Sequence, residues 1–486
     1  MKDISGSISA TSASNTYDTN DSDSHHQSPL GGKQLKFVRS VALSVGIQGP
    51  VAGVIVGPAV LASIVGGSGA LAYLLGLIAM AFVAYAFVIF SKRFNTSSSV
   101  YAFNSVALGP SYGFISAWIL LLVYLSFAAG VYASTADIAQ TFLSSFGIDI
   151  NWVLIALVGF VLTMIFAYRS IRISTMVIFV CEGVAIALLS IVGIAVMVKG
   201  GYHHHVFSDS PFLLHGISMS VLGLGVVNAF SAFSGFEGAT TLGEETKKST
   251  KYIPLAVGIS LVASAFIYII FTFIANNAYP NPGSLAKDPA PFVHLAQIYL
   301  SPFMGNVVNF AGIISAFGAQ LACINAANRL LYSAGRDFGS KNKLSFLKLT
   351  HKKFNSPIGA LVISGSLTLI ALLSFSFEKT PIEALIVIVQ YGAYLIIVAY
   401  LMTVIAALKF VNSKHFSLIK SAILIAGILI LGFVLYDTFH PFPAAPYSWD
   451  VWAAILSIVV GIVLVLKKSV RTKLKGSVLL TELNGQ

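Results

Sequence analysis

Apolar runs of about 20 residues recur along this chain from Phe37 to Leu466, and that recurrence constrains the fold more than any other feature. An α-helix rises 1.5 Å per residue, so about 20 such residues cross the ~30 Å hydrocarbon core of a bilayer. In lipid every backbone polar group must be satisfied within the protein, which leaves only helices or closed barrels. The alternating pattern of barrel strands is absent, so the sequence predicts an all-α integral membrane protein. Twelve transmembrane helices are predicted, over residues 37–62, 70–90, 110–135, 151–168, 173–198, 216–245, 253–277, 302–330, 357–376, 381–408, 418–436 and 449–466. The charged fraction agrees: 10%, against about 25% in soluble domains.

A net charge of +11 raises the question of nucleic acid, and its placement answers it. Of the 29 Lys and Arg residues, only Lys199, Lys287 and Lys379 fall in the odd-numbered gaps between predicted spans. The others, including Lys92, Arg93, Arg169, Arg172, Lys247, Lys248 and the run from Arg329 to Lys353, fall on the opposite side. This is the positive-inside pattern of a cell-membrane protein with both termini in the cytoplasm, which requires an even number of spans. No nucleic-acid partner is expected; the lipid bilayer is, with a weak attraction to anionic inner-leaflet lipid.

Domain organisation follows. Residues 1–35 read as a polar, disordered cytoplasmic tail without an apolar signal region. Residues 36–410 read as a transporter core of ten helices, 411–467 as two further helices, and 468–486 as a second cytoplasmic tail. Cys181 and Cys323 fall inside spans without a partner or a ligand spacing, so no disulfide or metal role is expected. His203, His204, His205 and His215 lack framing acids or cysteines, and no metal or other cofactor is expected there. No Walker loop or nucleophile triad is present, so an enzyme is not expected and energy would come from gradients.

Two spans are built badly for mere spanning. The sixth reads Phe230-Ser-Ala-Phe-Ser-Gly-Phe-Glu237-Gly. A carboxylate at that depth costs roughly 2.5–3.5 kcal/mol on the insertion scale, and each glycine weakens a helix by about 1 kcal/mol relative to alanine. The first carries Gly46-Ile-Gln-Gly-Pro50-Val-Ala-Gly53. Interrupted helices at corresponding positions of two halves point to a secondary transporter's substrate site. With spans one to five and six to ten as halves of odd count, the second half would be inverted relative to the first. Half-helix N-termini offer N–H donors to a carboxylate, and half-helix C-termini offer carbonyls to an ammonium group. The expected substrate is therefore a small zwitterion or related amine. The same glycines would also serve close helix packing.

The candidate substrate-binding residues are Gly46, Gln48, Gly49, Gly53, Phe230, Ser231, Ser234, Gly235 and Glu237. Glu237 is a candidate for gating, amine contact or proton coupling; its alternative is a structural carboxylate satisfied by neighbouring donors. Glu182, in the middle of the fifth span, is the second proton-coupling candidate. Burial favours a protonated carboxyl, and a purely structural hydrogen bond is the alternative. Ser315, Gln320, Asn325 and Asn328 make the eighth span polar on more than one face. The outer segment from Phe292 to Leu300 is amphipathic enough for a small helix over the mouth.

Four stretches carry a family resemblance. They are the glycine-rich first span through Gly53-Val-Ile-Val-Gly-Pro58; Ser99-Val-Tyr-Ala-Phe103 with Leu108-Gly-Pro-Ser-Tyr-Gly-Phe-Ile-Ser-Ala-Trp118; Phe233-Ser-Gly-Phe-Glu237 with Glu244-Glu-Thr-Lys-Lys-Ser-Thr-Lys-Tyr-Ile-Pro254; and Asn328-Arg-Leu-Leu-Tyr-Ser-Ala-Gly-Arg-Asp337 with His351-Lys-Lys-Phe-Asn-Ser-Pro357. In this order the chain resembles the amino acid–polyamine–organocation (APC) superfamily of permeases. The resemblance implies a LeuT-like 5+5 inverted repeat with unwound helices one and six, and amino acid or amine substrates held between them. Two departures stand out. Ser231 occupies a place where many relatives carry an aromatic lid, and Glu182 lies near the place of a lysine in some proton-coupled relatives.

The expected function is secondary active transport of an amino acid or related amine by alternating access, with a proton as co-substrate. Exchange against a counter-substrate is the second reading. A cation channel or a substrate sensor on the same scaffold is the rival from another class.

Overall fold

The computed structural model describes residues 30, 32, 34–202, 208, 210–214, 216–338, 343–378, 380–414, 416–440, 442, 443, 447–467 and 470. Among them the chain is helical throughout, with two isolated β-bridges, Leu35 to Thr246 and Thr350 to Pro357, and no strand. The helices are α1 Phe37–Gln48, α2 Pro50–Val65, α3 Gly69–Ser91, α4 Val100–Leu108, α5 Pro110–Ser144, α6 Trp152–Tyr168, α7 Ile171–Lys199, α8 Met219–Ala232, α9 Ser249–Ala278, α10 Pro282–Ala286, α11 Pro291–Tyr299, α12 Pro302–Phe338, α13 Ile358–Ser374, α14 Pro381–Lys414, α15 Leu418–Thr438 and α16 Tyr447–Leu466. A 3₁₀ segment, Phe236–Glu245, follows α8.

Nine helical stretches among the described residues are long and apolar enough to cross a membrane; the first, Phe37–Ser91, contains α1, α2 and α3. Two shorter apolar helices, Trp152–Tyr168 and Ile358–Ser374, accompany them. The ends are set by local chemistry. Asn151 accepts the Val153 N–H at the start of α6, and Ser218 accepts the Val221 N–H at the start of α8. Gly200, left-handed at φ 86°, closes α7, as side-chain caps and αL glycines do in general.

The predicted spans match helices, with three differences. α5 and α12 run past their predicted ends to Ser144 and Phe338, where polar residues hide the continuation from hydropathy. A short helix, α4, precedes α5, separated from it by Gly109 at φ 106°. The amphipathic outer run folds as α11, preceded by α10, whose Asn281 and Ser284 form a capping box. The N-terminal tail apart from Leu30, Gly32 and Gln34–Leu35, the His203–His205 run, His215 and most of the C-terminal tail lie outside the described residues.

The core is built around long α5, α12 and α14, with α5 packed against both others and α12 also against α7. α1 and α2 lie between α9 and α12. The buried interior holds several large aromatics, among them Tyr73, Phe87, Tyr124, Phe233, Phe236 and Tyr400.

Candidate functional site

The first interruption is one residue long. Gly49 sits between α1 and α2 at φ 49°, ψ 53°, a conformation that costs a residue with a Cβ and that glycine adopts freely. Pro50 follows as the first residue of α2, where its missing N–H costs nothing. Helix one is thus kinked at Gly49 and otherwise wound on both sides. Gly46 lies within α1, where an added Cβ would press on Ile178 and Ala322; Gly53 lies in α2, where one would overlap the Tyr268 hydroxyl. Only Gly49 makes this break. Gly46 and Gly53 let neighbouring helices approach.

The second interruption is longer. α8 ends at Ala232, Gly235 takes φ 107°, and the chain continues as the 3₁₀ turn Phe236–Glu245. The two interruptions touch. A Cβ at Gly235 or Gly238 would overlap the Ile47 side chain. Ser44 of α1 donates to the Phe236 carbonyl at 2.7 Å and accepts the Ala239 N–H at 2.8 Å. One hydroxyl therefore satisfies two backbone groups freed by the break in helix six, as non-helical backbone at membrane depth requires.

Glu237 is fully buried and fully partnered. Tyr124 of α5 donates to Oε1 at 2.9 Å; Tyr400 of α14 donates to Oε2 at 2.6 Å; the Gly235 N–H donates to Oε2 at 3.1 Å. The Gly235 N–H also reaches the Tyr400 oxygen, at 3.2 Å. Three donors on two oxygens suit an acceptor-only carboxylate, and such charge-assisted bonds are the strong ones. Glu237 thus pins the αL turn of its own segment to two long helices of the core. Phe87, Phe236 and Tyr400 pack around it, with ring centroids 5.3–5.6 Å apart.

A second aromatic cluster flanks the kink in helix one. Tyr268 of α9 stacks on Tyr73 at 4.9 Å, meets Phe233 edge-on at 5.8 Å, and donates to the Gln48 carbonyl at 3.3 Å. The Gln48 amide donates back to the Ser44 carbonyl at 3.2 Å, while its Oε1 is buried without a hydrogen-bond partner. Ser234 is buried beside Gly235, and Phe230 is fully buried at the end of α8. Ser231 is half-buried and donates to the Val227 carbonyl within its own helix.

Glu182 of α7 faces α12 and is 3% exposed. Ser315 of α12 donates to its Oε1 at 2.9 Å and accepts the Ala52 N–H of α2 at 3.2 Å. Ser315 thus joins the first turn of α2 to the carboxyl of α7. The other oxygen, Oε2, is buried without a hydrogen-bond partner. The remaining polar residues of α12 diverge. Gln320 bonds Thr135 and Thr163, Asn325 supports Arg329, and Asn328 accepts from Ser364.

The predicted residues therefore gather at two neighbouring places, the Gly235–Glu237 turn with Ile47, and the Gly49 kink with Glu182 beyond it. Sequence reading missed Ser44, Tyr124, Tyr268 and Tyr400. A buried tyrosine hydroxyl generally finds a partner, but nothing in the sequence says which one. Also missed were two ion pairs at the end of the 3₁₀ segment. Arg329 grips Glu245 at 2.7 and 3.2 Å, with both side chains at most 3% exposed, and Arg336 grips Glu244 through two bonds of 2.9 Å. The Glu245 carbonyl also accepts the N–H groups of Gln34 and Leu35. Among the described residues no group of three or more His, Cys, Asp or Glu side chains could hold a metal.

A profile of the amino acid permease family matches residues 35–465. The chain is 27% identical over 327 residues to a low-affinity putrescine importer of Escherichia coli K12, covering 66% of this chain and 69% of that one. It is 27% identical over 343 residues to a branched-chain amino acid permease of Lactococcus lactis, covering 65% and 70%. It is 25% identical over 308 residues to a methylthioribose transporter of Bacillus subtilis, covering 60% and 62%.

Proposed function

Because this chain belongs to the amino acid permease family, we propose that it is a secondary active transporter of an amino acid or related amine. The observation that carries the reading is the pair of helix interruptions held side by side by Ser44, Ile47, Gly235 and Gly238. Non-helical backbone at membrane depth lies where a binding cavity can open.

The helices support a twelve-crossing arrangement. The stretch Phe37–Ser91 is 55 residues long and is interrupted by the 3₁₀ turn Gly66–Ser68, which supports two crossings. Trp152–Tyr168 and Ile358–Ser374 have 17 residues each, enough for about 25 Å at 1.5 Å per residue, and each adds one. Together with the eight other long stretches this gives twelve crossings of the cell membrane. Ten form a LeuT-like core over residues 36–410, and two more occupy 411–467. Both termini face the cytoplasm.

The substrate lies between the kink at Gly49 and the turn at Gly235. Its amine meets carbonyls at the end of α1, including Gln48, and its carboxylate meets N–H groups at the start of α2 and of the 3₁₀ segment. Gly46, Gln48, Gly49, Gly53, Phe230, Ser231, Ser234 and Gly235 line or shape this space. In the conformation described, Tyr268, Ser44 and Ser315 already occupy several of these backbone groups. Binding exchanges those internal partners for substrate, which couples occupancy to the packing of α1 against its neighbours. Glu237 holds the turn as a gating and positioning residue. Glu182 carries the coupling proton: its free oxygen and its link through Ser315 to α2 tie protonation to the half-helix that holds the substrate. Exchange of one amine for another is the second reading, and it dispenses with that proton.

Uptake into proteoliposomes tests the proposal. Leucine, putrescine and methylthioribose, the substrate classes of the relatives, would compete with a broader panel of amino acids and amines. Saturable uptake of an amino acid or amine driven by a pH gradient is expected. Uptake that is absent for every amine and amino acid, or passive flux of an inorganic cation, would overturn it.

A further inference from the structure

We propose that the crevice between α3, α14 and α15 binds the phosphate headgroup of an anionic phospholipid. The crevice has a volume of about 170 Å³ and is lined by Tyr85, Val88, Ile89, Lys92, Arg93, Phe410, Val411 and Lys420. Tyr85, Val88, Ile89 and Lys92 stand at positions i, i+3, i+4 and i+7, so they form one stripe along α3. That stripe passes from apolar to cationic within two turns, about 10 Å. A molecule that fits it is apolar at one end and anionic at the other.

The cationic end is built from separate elements. Lys92 and Arg93 follow the last turn of α3, and Lys420 stands in the first turn of α15; all three are exposed. Arg93 lies over the ring of buried Phe410, its guanidinium carbon 5.4 Å from the centroid, and that contact leaves its N–H edges free for an anion. Among the described residues no carboxylate lines the crevice. Glu244 and Glu245 are engaged by Arg336 and Arg329. Three cations with no acid among the described lining residues, at the end of an apolar stripe, match a phosphodiester with its acyl chains alongside Tyr85 and Ile89. Basic pockets between membrane helices bind anionic headgroups in this way. The bound lipid would tie α3 and α15 to α14, the helix that carries Tyr400. This inference needs only that the chain lies in a bilayer and is independent of what the protein carries.

The test uses the full chain, purified in detergent with phosphatidylcholine. Adding phosphatidylglycerol should raise the melting temperature by roughly 2–5 °C, as expected for a ligand that binds only the folded state. Phosphatidylcholine alone, or inorganic phosphate at the same concentration, should not. The variant Lys92→Gln/Arg93→Gln/Lys420→Gln should lose the shift while keeping its melting temperature in phosphatidylcholine. As a check that needs no variant, a photo-crosslinking phosphatidylglycerol should label peptides spanning residues 85–93 or 410–420. An equal shift with phosphatidylcholine, an equal shift with inorganic phosphate, a shift retained by the triple variant, or labelling confined to other segments would each overturn the proposal.

Discussion

The hydroxyl of Tyr400 lies 2.6 Å from Oε2 of Glu237 and also 3.2 Å from the backbone nitrogen of Gly235. A long core helix is thereby fastened to the one turn where helix six loses its α-helical hydrogen bonds. The glutamate does not stand free in a cavity. Its oxygens are spent on holding the turn, so any movement of the half-helix after Gly235 must stretch bonds to Tyr124 and Tyr400 together.

Glu237→Gln is expected to disturb this arrangement. The amide keeps the shape but presents an NH₂ group where one oxygen accepted from Tyr400 and Gly235, setting donor against donor. A buried donor left unsatisfied costs about 1–3 kcal/mol, so the melting temperature should fall and uptake should drop roughly tenfold or more. Tyr400→Phe removes one donor and should cost less. In the double variant the two losses should not add, because they share one hydrogen bond. Strict additivity in thermal melts would show that the bond contributes nothing.

The glycines of the turn separate backbone need from space. Gly235 has φ 107°, whereas Gly238 has no unusual φ and an added Cβ there would overlap only the Cδ1 of Ile47. Gly238→Ala should impair uptake, and Ile47→Val, which removes that methyl, should restore most of it. Gly235→Ala should not be rescued by Ile47→Val, since the strain of its backbone, on the order of 1–3 kcal/mol, remains. Equal rescue at both positions would refute the distinction.

The Arg329–Glu245 pair joins the end of the 3₁₀ segment to α12, with both side chains at most 3% exposed. Arg329→Met leaves a buried carboxylate unpaired, which typically costs about 3–5 kcal/mol. Arg329→Met/Glu245→Met should recover much of the stability, as apolar replacements of buried pairs often do. If the pair also latches this face of the transporter, the double variant will be stable yet transport poorly. Restored stability with full transport would make the pair structural only.

How much of this was legible in sequence varies with range. The apolar helices were readable because apolar length is a local property; α6, α7 and α9 fall where hydropathy put them. The interruptions were readable because glycine, proline and glutamate are each costly in a lipid-facing helix. The assignment of individual glycines was not. Gly46, Gly49 and Gly53 look alike in sequence, and only φ and the positions of Ile178 and Tyr268 separate the kink from the packing contacts. The partners of Glu237 were also hidden. Tyr124 and Tyr400 lie 113 and 163 residues away, and no local pattern pairs a tyrosine with an acid at that separation. The mixed polarity of α12 resolves into separate tasks for Ser315, Gln320, Asn325 and Asn328 because its faces meet different helices.

Orientation can be checked at exposed residues that the cation bias assigns to opposite faces. Ser208 lies between α7 and α8 and Lys352 between α12 and α13, and both are exposed. In intact cells, a cysteine at Ser208 should react with an impermeant thiol reagent, and one at Lys352 should react only after permeabilisation. Labelling of the Lys352 site in intact cells would reverse the assignment drawn from the cation bias.

Glu182 gives the sharpest test of coupling. One of its oxygens is held by Ser315, which in turn holds the Ala52 N–H, and the other has no hydrogen-bond partner. If this carboxyl takes up the coupling proton, gradient-driven uptake in the native protein should rise as the external pH falls between about pH 8 and pH 5. Glu182→Gln mimics the protonated state permanently. It should flatten that dependence while substrate binding survives, because the carboxyl is bonded to Ser315 and not to the Gly235 turn. Ser315→Ala keeps the carboxyl but cuts its link to α2, so it should retain proton binding and lose the coupling of uptake to the gradient. Uptake and binding measured in parallel on the three proteins separate these outcomes. Full uptake by Glu182→Gln with an unchanged pH profile would make the residue structural and leave amine exchange as the better reading.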